Sequence, residues 1–273
     1  MLEAHELTLT YTTGETRTNA VDGVNLAVNE AEFVGIVGPS GSGKSSLLYL
    51  LAGLRLPTGG RVRFRAQEIS NLSGNDRAAL RQQHFGFIFQ QHFLIEYLTA
   101  LENVLVAIAR PTAEDRARAK ELLESLGLSD HLRKHPHQLS GGQRQRVAAA
   151  RAIMHRPDVV FADEPTASLD HRTAFELMEV IRKMRTSQQT ALVVVTHDPS
   201  ILSGADRIVH MWDGRMRSQP GEPAVNGAGG QVPNGVEART VLVSPATLRA
   251  IRRQRQQQSP PDDPAAPGDP TQP

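Results

Sequence analysis

Gly38-Pro39-Ser40-Gly41-Ser42-Gly43-Lys44-Ser45 reads G-x-x-x-x-G-K-[ST], a spacing that lets a loop wrap phosphate oxygens in backbone N–H groups. Glycine leaves the backbone free to turn and to approach an anion closely, Lys44 adds a mobile ammonium, and Ser45 offers a hydroxyl to Mg²⁺. Asp163-Glu164 closes an apolar run, and two adjoining carboxylates there are costly to bury without a cation or hydrogen bonds. Exposed loop carboxylates are the alternative reading, since such residues are mostly on the surface. Ser140 and Gln143 fit a capping box, and Gly141-Gly142 between them would leave bare amides at a second helix start. Two glycines inside a helix are unfavourable, which argues against an ordinary capped helix and for a second anion site. Gln90 follows the run Phe85-Gly86-Phe87-Ile88-Phe89, either as a surface residue or as an amide oxygen for Mg²⁺. His197 stands at the end of Ala191-Leu192-Val193-Val194-Val195, a place where ligands meet α/β sheets. Taken alone it reads as a hydrogen-bonded structural residue.

The elements that must position these residues follow from periodicity. Glu32–Val37 is a short apolar run before the loop, and Leu47, Leu48, Leu50, Leu51 and Leu54 recur at helical spacing after it. Strand, loop and helix thus come in the order that points a helix N-terminus at the anion. Leu7, Leu9 and Tyr11 alternate with polar residues, as do Val24, Leu26 and Val28, so each reads as a half-buried strand. On spacing alone Tyr11 is a core or edge aromatic. Val62 and Phe64 alternate with Arg61, Arg63 and Arg65, as on a solvated edge strand. From about residue 92 to 139 the pattern turns helical, with capping boxes at Thr99–Glu102 and Thr112–Asp115 and Gly127 suited to a helix end. Ala174, Leu177, Met178, Ile181 and Met184 form the apolar stripe of a later helix, and Asp213-Gly214 is a two-residue hairpin turn.

Composition bounds the class. The 273 residues are 39% hydrophobic and 22% charged, enough for one large α/β core, and a net charge of +1 gives no global field for nucleic acid. Cysteine is absent, which removes disulfides and thiolate chemistry and fits a reducing cytoplasm. No apolar stretch approaches the ~18 residues of a membrane span, and no signal-peptide pattern opens the chain. Residues 218–273 turn rich in Pro, Gly and Gln and read as a largely disordered tail, with a possible basic helix over 245–258.

The glycine loop, Gln90, Leu139-Ser140-Gly141-Gly142-Gln143, Asp163-Glu164, Ser168-Leu169-Asp170 and His197 stand in the order found in the ATP-binding cassette (ABC) ATPases, which the chain resembles over residues 2 to about 217. The Leu-Ser-Gly-Gly-Gln run is the discriminating piece. Gly86 to Gln91 with Leu98 to Val104 further resembles the branch of lipoprotein-releasing and macrolide-export ATPases and their cell-division relative. The chain carries Ala167-Ser168 where that branch often has Gly-Asn.

The resemblance implies a P-loop NTPase core of mixed β-sheet flanked by helices, with an antiparallel β subdomain and an inserted α-helical subdomain at about 92–139. It implies that Tyr11 stacks on adenine and that Gly38, Pro39, Ser40, Gly41, Ser42, Gly43, Lys44, Ser45 and Ser46 hold the ATP phosphates. Ser45, Gln90 and Asp163 would arrange Mg²⁺, Glu164 would activate water, and His197 would contact the third phosphate. Ser140, Gly141, Gly142 and Gln143 would meet the ATP of a second cassette, in a pair of copies that closes on ATP and reopens on hydrolysis. The expected partners are that second ATPase subunit and a separate transmembrane permease, with no nucleic acid, at the cytoplasmic face of a membrane. Two other outputs share these motifs: a cassette driving mechanical signalling or cell division, and a soluble one working on ribosomes or DNA. The latter usually has two cassettes or a long coiled-coil insertion.

Overall fold

The alternating residues of the first thirty form a ribbon, β1 (Leu2–Thr13) pairing antiparallel with β2 (Thr16–Val28). β3 (Phe33–Val37) is buried throughout and leads through the glycine loop into α1 (Lys44–Leu51). β4 (Gly59–Phe64) and the two-residue β5 (Gln67–Glu68) return to the ribbon, then α2 (Gly74–His84) runs into β6 (Phe85–Ile88). α3 (Ala100–Leu105), α4 (Ala113–Ser125) and α5 (Gly141–Ile153) follow, each starting at an intact capping box. The remainder is β7 (Val159–Asp163), α6 (His171–Gln188), β8 (Ala191–Thr196), β9 (Arg207–Trp212) and β10 (Arg215–Arg217). This computed structural model describes residues 1–217, without the side chains of Met184, Thr186, Ser187 and Gln188. The expected tail, its helix over 245–258 and the side chain of Met184 lie outside the described residues.

Two sheets result. One is antiparallel, in the order β2-β1-β4-β5; the other runs β10-β9-β3-β8-β7-β6, parallel except for β10 at its edge. The parallel strands read as continuous apolar runs because both their faces are covered. Val34, Ile36, Val159, Phe161, Val193 and Val195 pack with α1 and the antiparallel sheet. Phe33, Val37, Val160, Ala162, Leu192 and Val194 point the other way, into a core shared with α3, α4, α5 and α6. β3 is central, so the loop after it opens at the carboxyl ends of its neighbours β8 and β9.

Two expectations need correction. β4 is no edge strand: it pairs with β1 on one side and β5 on the other, and Val62 and Phe64 are buried. A two-residue partner is too short to leave a periodic signal. Leu54 is not part of the α1 stripe; α1 is capped at Ala52, and Leu54 is 42% exposed in the loop beyond. The Asp213-Gly214 turn forms as expected, with φ of 48° and 77°, the left-handed pair of a type I′ hairpin.

Candidate functional site

The cradle is shaped from outside as much as by its own sequence. Gly43 is the N-cap of α1 at φ 97°, and a Cβ there would come within 1.9 Å of the Ala20 carbonyl. Gly41 also takes positive φ, whereas Gly38 is demanded by space, its virtual Cβ lying 2.1 Å from the Met211 carbonyl. The hairpin turn ties the loop to β2: Gly214 donates to the Ser42 carbonyl at 3.0 Å and accepts from Asp22 N at 2.8 Å.

Glycine as N-cap brings no side-chain oxygen, so the first amides of α1 are uncapped. Every other described α-helix has a side-chain cap, from Ser73, Thr99, Thr112, Ser140 or Asp170. The Ser42 hydroxyl is buried in the same loop with no hydrogen-bond partner. Lys44 Nζ folds back to donate to the carbonyls of Gly38 (2.9 Å) and Pro39 (2.8 Å). Burial pushes its pKa down, opposed by the charges of Glu164 and Asp163.

Asp163 ends β7, 5% exposed, with both carboxylate oxygens engaged: Ser45 Oγ donates to one at 2.8 Å and Tyr49 Oη to the other at 2.9 Å. Burial and the Asp163 charge push the Tyr49 phenol up to about 12, which keeps it a donor. Glu164 stands at φ 48°, its amide bonded to the Val195 carbonyl at 2.9 Å. Its carboxylate accepts from Thr196 Oγ1 at 3.1 Å and pairs with His197 Nδ1 at 2.9 Å. Lys44, Ser45, Asp163, Glu164 and His197, spread over more than 150 positions of sequence, therefore converge at one end of the parallel sheet. Tyr49 and Thr196 join them without having been singled out from sequence.

Three expected site elements are not among the hydrogen-bond partners of that group. Ser140 is exposed at the start of α5, where its hydroxyl accepts from Gln143 N at 3.2 Å and Gln143 Oε1 accepts from Ser140 N at 2.9 Å. The Gln143 amide nitrogen also donates to His131 Nε2 at 2.8 Å. Gln90 is exposed just past β6. Tyr11 is partly buried, with the Arg55 guanidinium 4.5 Å from its ring centroid and Arg55 Nη1 donating to its hydroxyl at 2.6 Å.

The oxygens of Ser45 and Asp163 are hard donors of the kind Mg²⁺ takes, and Gln90 could add a third. Among the described residues no group of three or more His, Cys, Asp or Glu side chains forms a closed metal cage. Mg²⁺ sites commonly consist of one or two protein oxygens completed by water and phosphate, so the residues present fit that ion.

Comparison with known proteins shows which family shares this sequence and fold. The family described as "ABC transporter" matches residues 21–167, a span that takes in the cradle, Gln90, Ser140–Gln143 and Asp163-Glu164 and stops short of Tyr11 and His197. An uncharacterized ABC transporter ATP-binding protein of Methanocaldococcus jannaschii, MJ1508, is 44% identical over 219 residues, 79% of this chain and 97% of its own. The lipoprotein-releasing system ATP-binding protein LolD of Xanthomonas campestris is 42% identical over 220 residues, 80% of this chain and 92% of its own. Among solved structures, the ATP-binding cassette MJ0796, a dimer in a post-hydrolysis state bound to ADP and Pi, superposes with a TM-score of 0.75 at 38% identity. That match covers 79% of this chain and 96% of the other.

Proposed function

The chain belongs to the ABC transporter family as an ATP-binding cassette that hydrolyses ATP, and from that premise we propose that two copies clamp ATP between the cradle of one and Ser140–Gln143 of the other. The observation that carries this reading is the uncapped N-terminus of α1, with Lys44 and the Asp163-Glu164 carboxylates gathered around it. Bare amides at a helix start and an ammonium select a polyanion. Ser45, Asp163 and Gln90 hold Mg²⁺, which when bound neutralises charge on the phosphates. Lys44 exchanges two carbonyls of its own loop for phosphate oxygens. Glu164, kept in one orientation by Thr196 and His197, takes the proton of the attacking water. His197 contacts the third phosphate, and Tyr11 receives the adenine once Arg55 moves aside.

The output runs to a separate membrane permease of the lipoprotein-release type, in keeping with the name of the Xanthomonas relative, with the chain on the cytoplasmic face of the membrane. Phe93 and Tyr97, 62% and 79% exposed just after Gln90, supply an apolar surface for that partner. Recovery of the native protein with ribosomes or DNA, and with no membrane protein, would reject this assignment.

Glu164→Gln tests the chemistry. Removing a general base slows hydrolysis by about 10²- to 10⁴-fold, while ATP binding persists and a dimer accumulates on a sizing column in ATP but not in ADP. Turnover at the wild-type rate would remove Glu164 from the role.

A further inference from the structure

Gln145 sits one turn into α5 and is wholly buried, at 0% exposure. Its side-chain nitrogen donates to the Pro165 carbonyl at 2.9 Å and to the Phe89 carbonyl at 3.2 Å, using both amide protons. Its Oε1 is buried and interacts with the side chain of His92, a residue of the loop that follows Gln90. The two carbonyls are particular ones: Phe89 directly precedes Gln90, and Pro165 directly follows Glu164. They also lie just past the point where the β6–β7 ladder stops, its last rung being Ile88 with Ala162. Gln145 thus bridges two segments where sheet pairing no longer does. The same helix grips the Gln90 loop again through Arg151, which donates to the carbonyls of His92 (2.8 Å) and Phe93 (2.7 Å), where Phe93 has a left-handed φ of 45°.

We infer that Gln145 is a positioning residue that fixes the Gln90 and Glu164 backbones to each other and to the helix whose start faces the second copy. This rests on the roles proposed for Gln90, Glu164 and Ser140. Engagement of the α5 N-terminus by the other copy's nucleotide then sets the geometry of this copy's own base and metal ligand through one side chain.

Gln145→Met keeps the volume and deletes both donors; Gln145→Glu keeps the shape and sets an acceptor against two carbonyls. Both are expected to retain ATP affinity within about twofold and to lose turnover by about 10- to 100-fold, the scale of a misplacement on the order of 1 Å. Wild-type turnover in Gln145→Met, or parallel loss of affinity and turnover, overturns the inference. Glu164→Gln measured alongside separates the two readings: inactive Glu164→Gln with fully active Gln145→Met sinks only the role of Gln145. If Gln145→Met does not fold, hydrogen exchange on the full-length Glu164→Gln protein decides. Residues 89–93 and 164–167 should gain protection together on adding ATP, and protection of one segment alone overturns the proposal.

Discussion

Lys44→Met separates phosphate binding from structural support, because the carbonyls that Lys44 holds in this structure differ from the phosphate oxygens proposed for it. Without nucleotide, Nζ bonds the Gly38 and Pro39 carbonyls, and the residue is 7% exposed. Pro39 is exposed and Gly38 half-buried, so water can replace the ammonium at both carbonyls, and the variant also sheds the cost of a buried charge. Stability of the nucleotide-free protein should therefore change by less than about 1 kcal/mol. In the proposed complex with ATP the ammonium trades carbonyls for phosphate, so losing one charge-assisted bond of about 1.5–3 kcal/mol should weaken affinity about 10- to 150-fold. At ATP set to a hundred times the wild-type Kd, ligand stabilisation is about 2.7 kcal/mol for wild type, falling to between about 1.4 and 0.3 kcal/mol in the variant. Urea melts with and without ATP, followed by the single tryptophan, Trp212, at the end of β9 beside the cradle, read both quantities. Undiminished ATP stabilisation in Lys44→Met would refute the placement of the phosphates. A large fall in nucleotide-free stability would show that Lys44 is chiefly a structural brace.

Two further outcomes follow from the same geometry. Burial lowers the pKa of His155 and His210, so their unfolded forms bind more protons below about pH 6.5. Their contribution is complete above that pH and lost as pH falls through the depressed folded values; urea midpoints should drop between pH 6.5 and 5, less steeply in His155→Gln, and a flat profile would contradict this. Arg55 packs on the ring where adenine is proposed to stack, so Arg55→Ala should tighten ATP binding about two- to fivefold, the worth of an exposed cation–π contact. Weaker binding in a nucleotide titration would instead make Arg55 a ligand contact.

The fold was legible where one segment carries its own signal. The strand before the cradle, the three capping boxes and the Asp213-Gly214 hairpin all depend on neighbours within a few residues, and they formed as read. Misreadings arose where the deciding partner is remote or very short, as with β5 beside β4. Tyr49 went unnoticed because it falls among the leucines of α1, yet a signal existed: it is four residues beyond Ser45, hence on the same helix face, and both hydroxyls reach Asp163. Gln145 was similarly marked as a polar residue three and four positions before Ala148 and Ala149, on the buried stripe of α5.

The contrast between the two helix starts explains why one motif needed its surroundings and the other did not. Ser140 and Gln143 satisfy each other locally, so the start of α5 is written completely in four consecutive residues. The start of α1 is kept uncapped by the fold. Gly43 adopts a φ that side chains resist, and the Ala20 carbonyl on β2 occupies the space a Cβ would need. Ala20 is held there by the ribbon and by the Asp22–Gly214–Ser42 hydrogen bonds, so the antiparallel sheet and the β9–β10 hairpin help to shape the glycine loop. A Gly43→Ala protein would have to open that contact. The damage would then pass to β2 and the hairpin turn, which no inspection of the loop's eight residues alone could reveal.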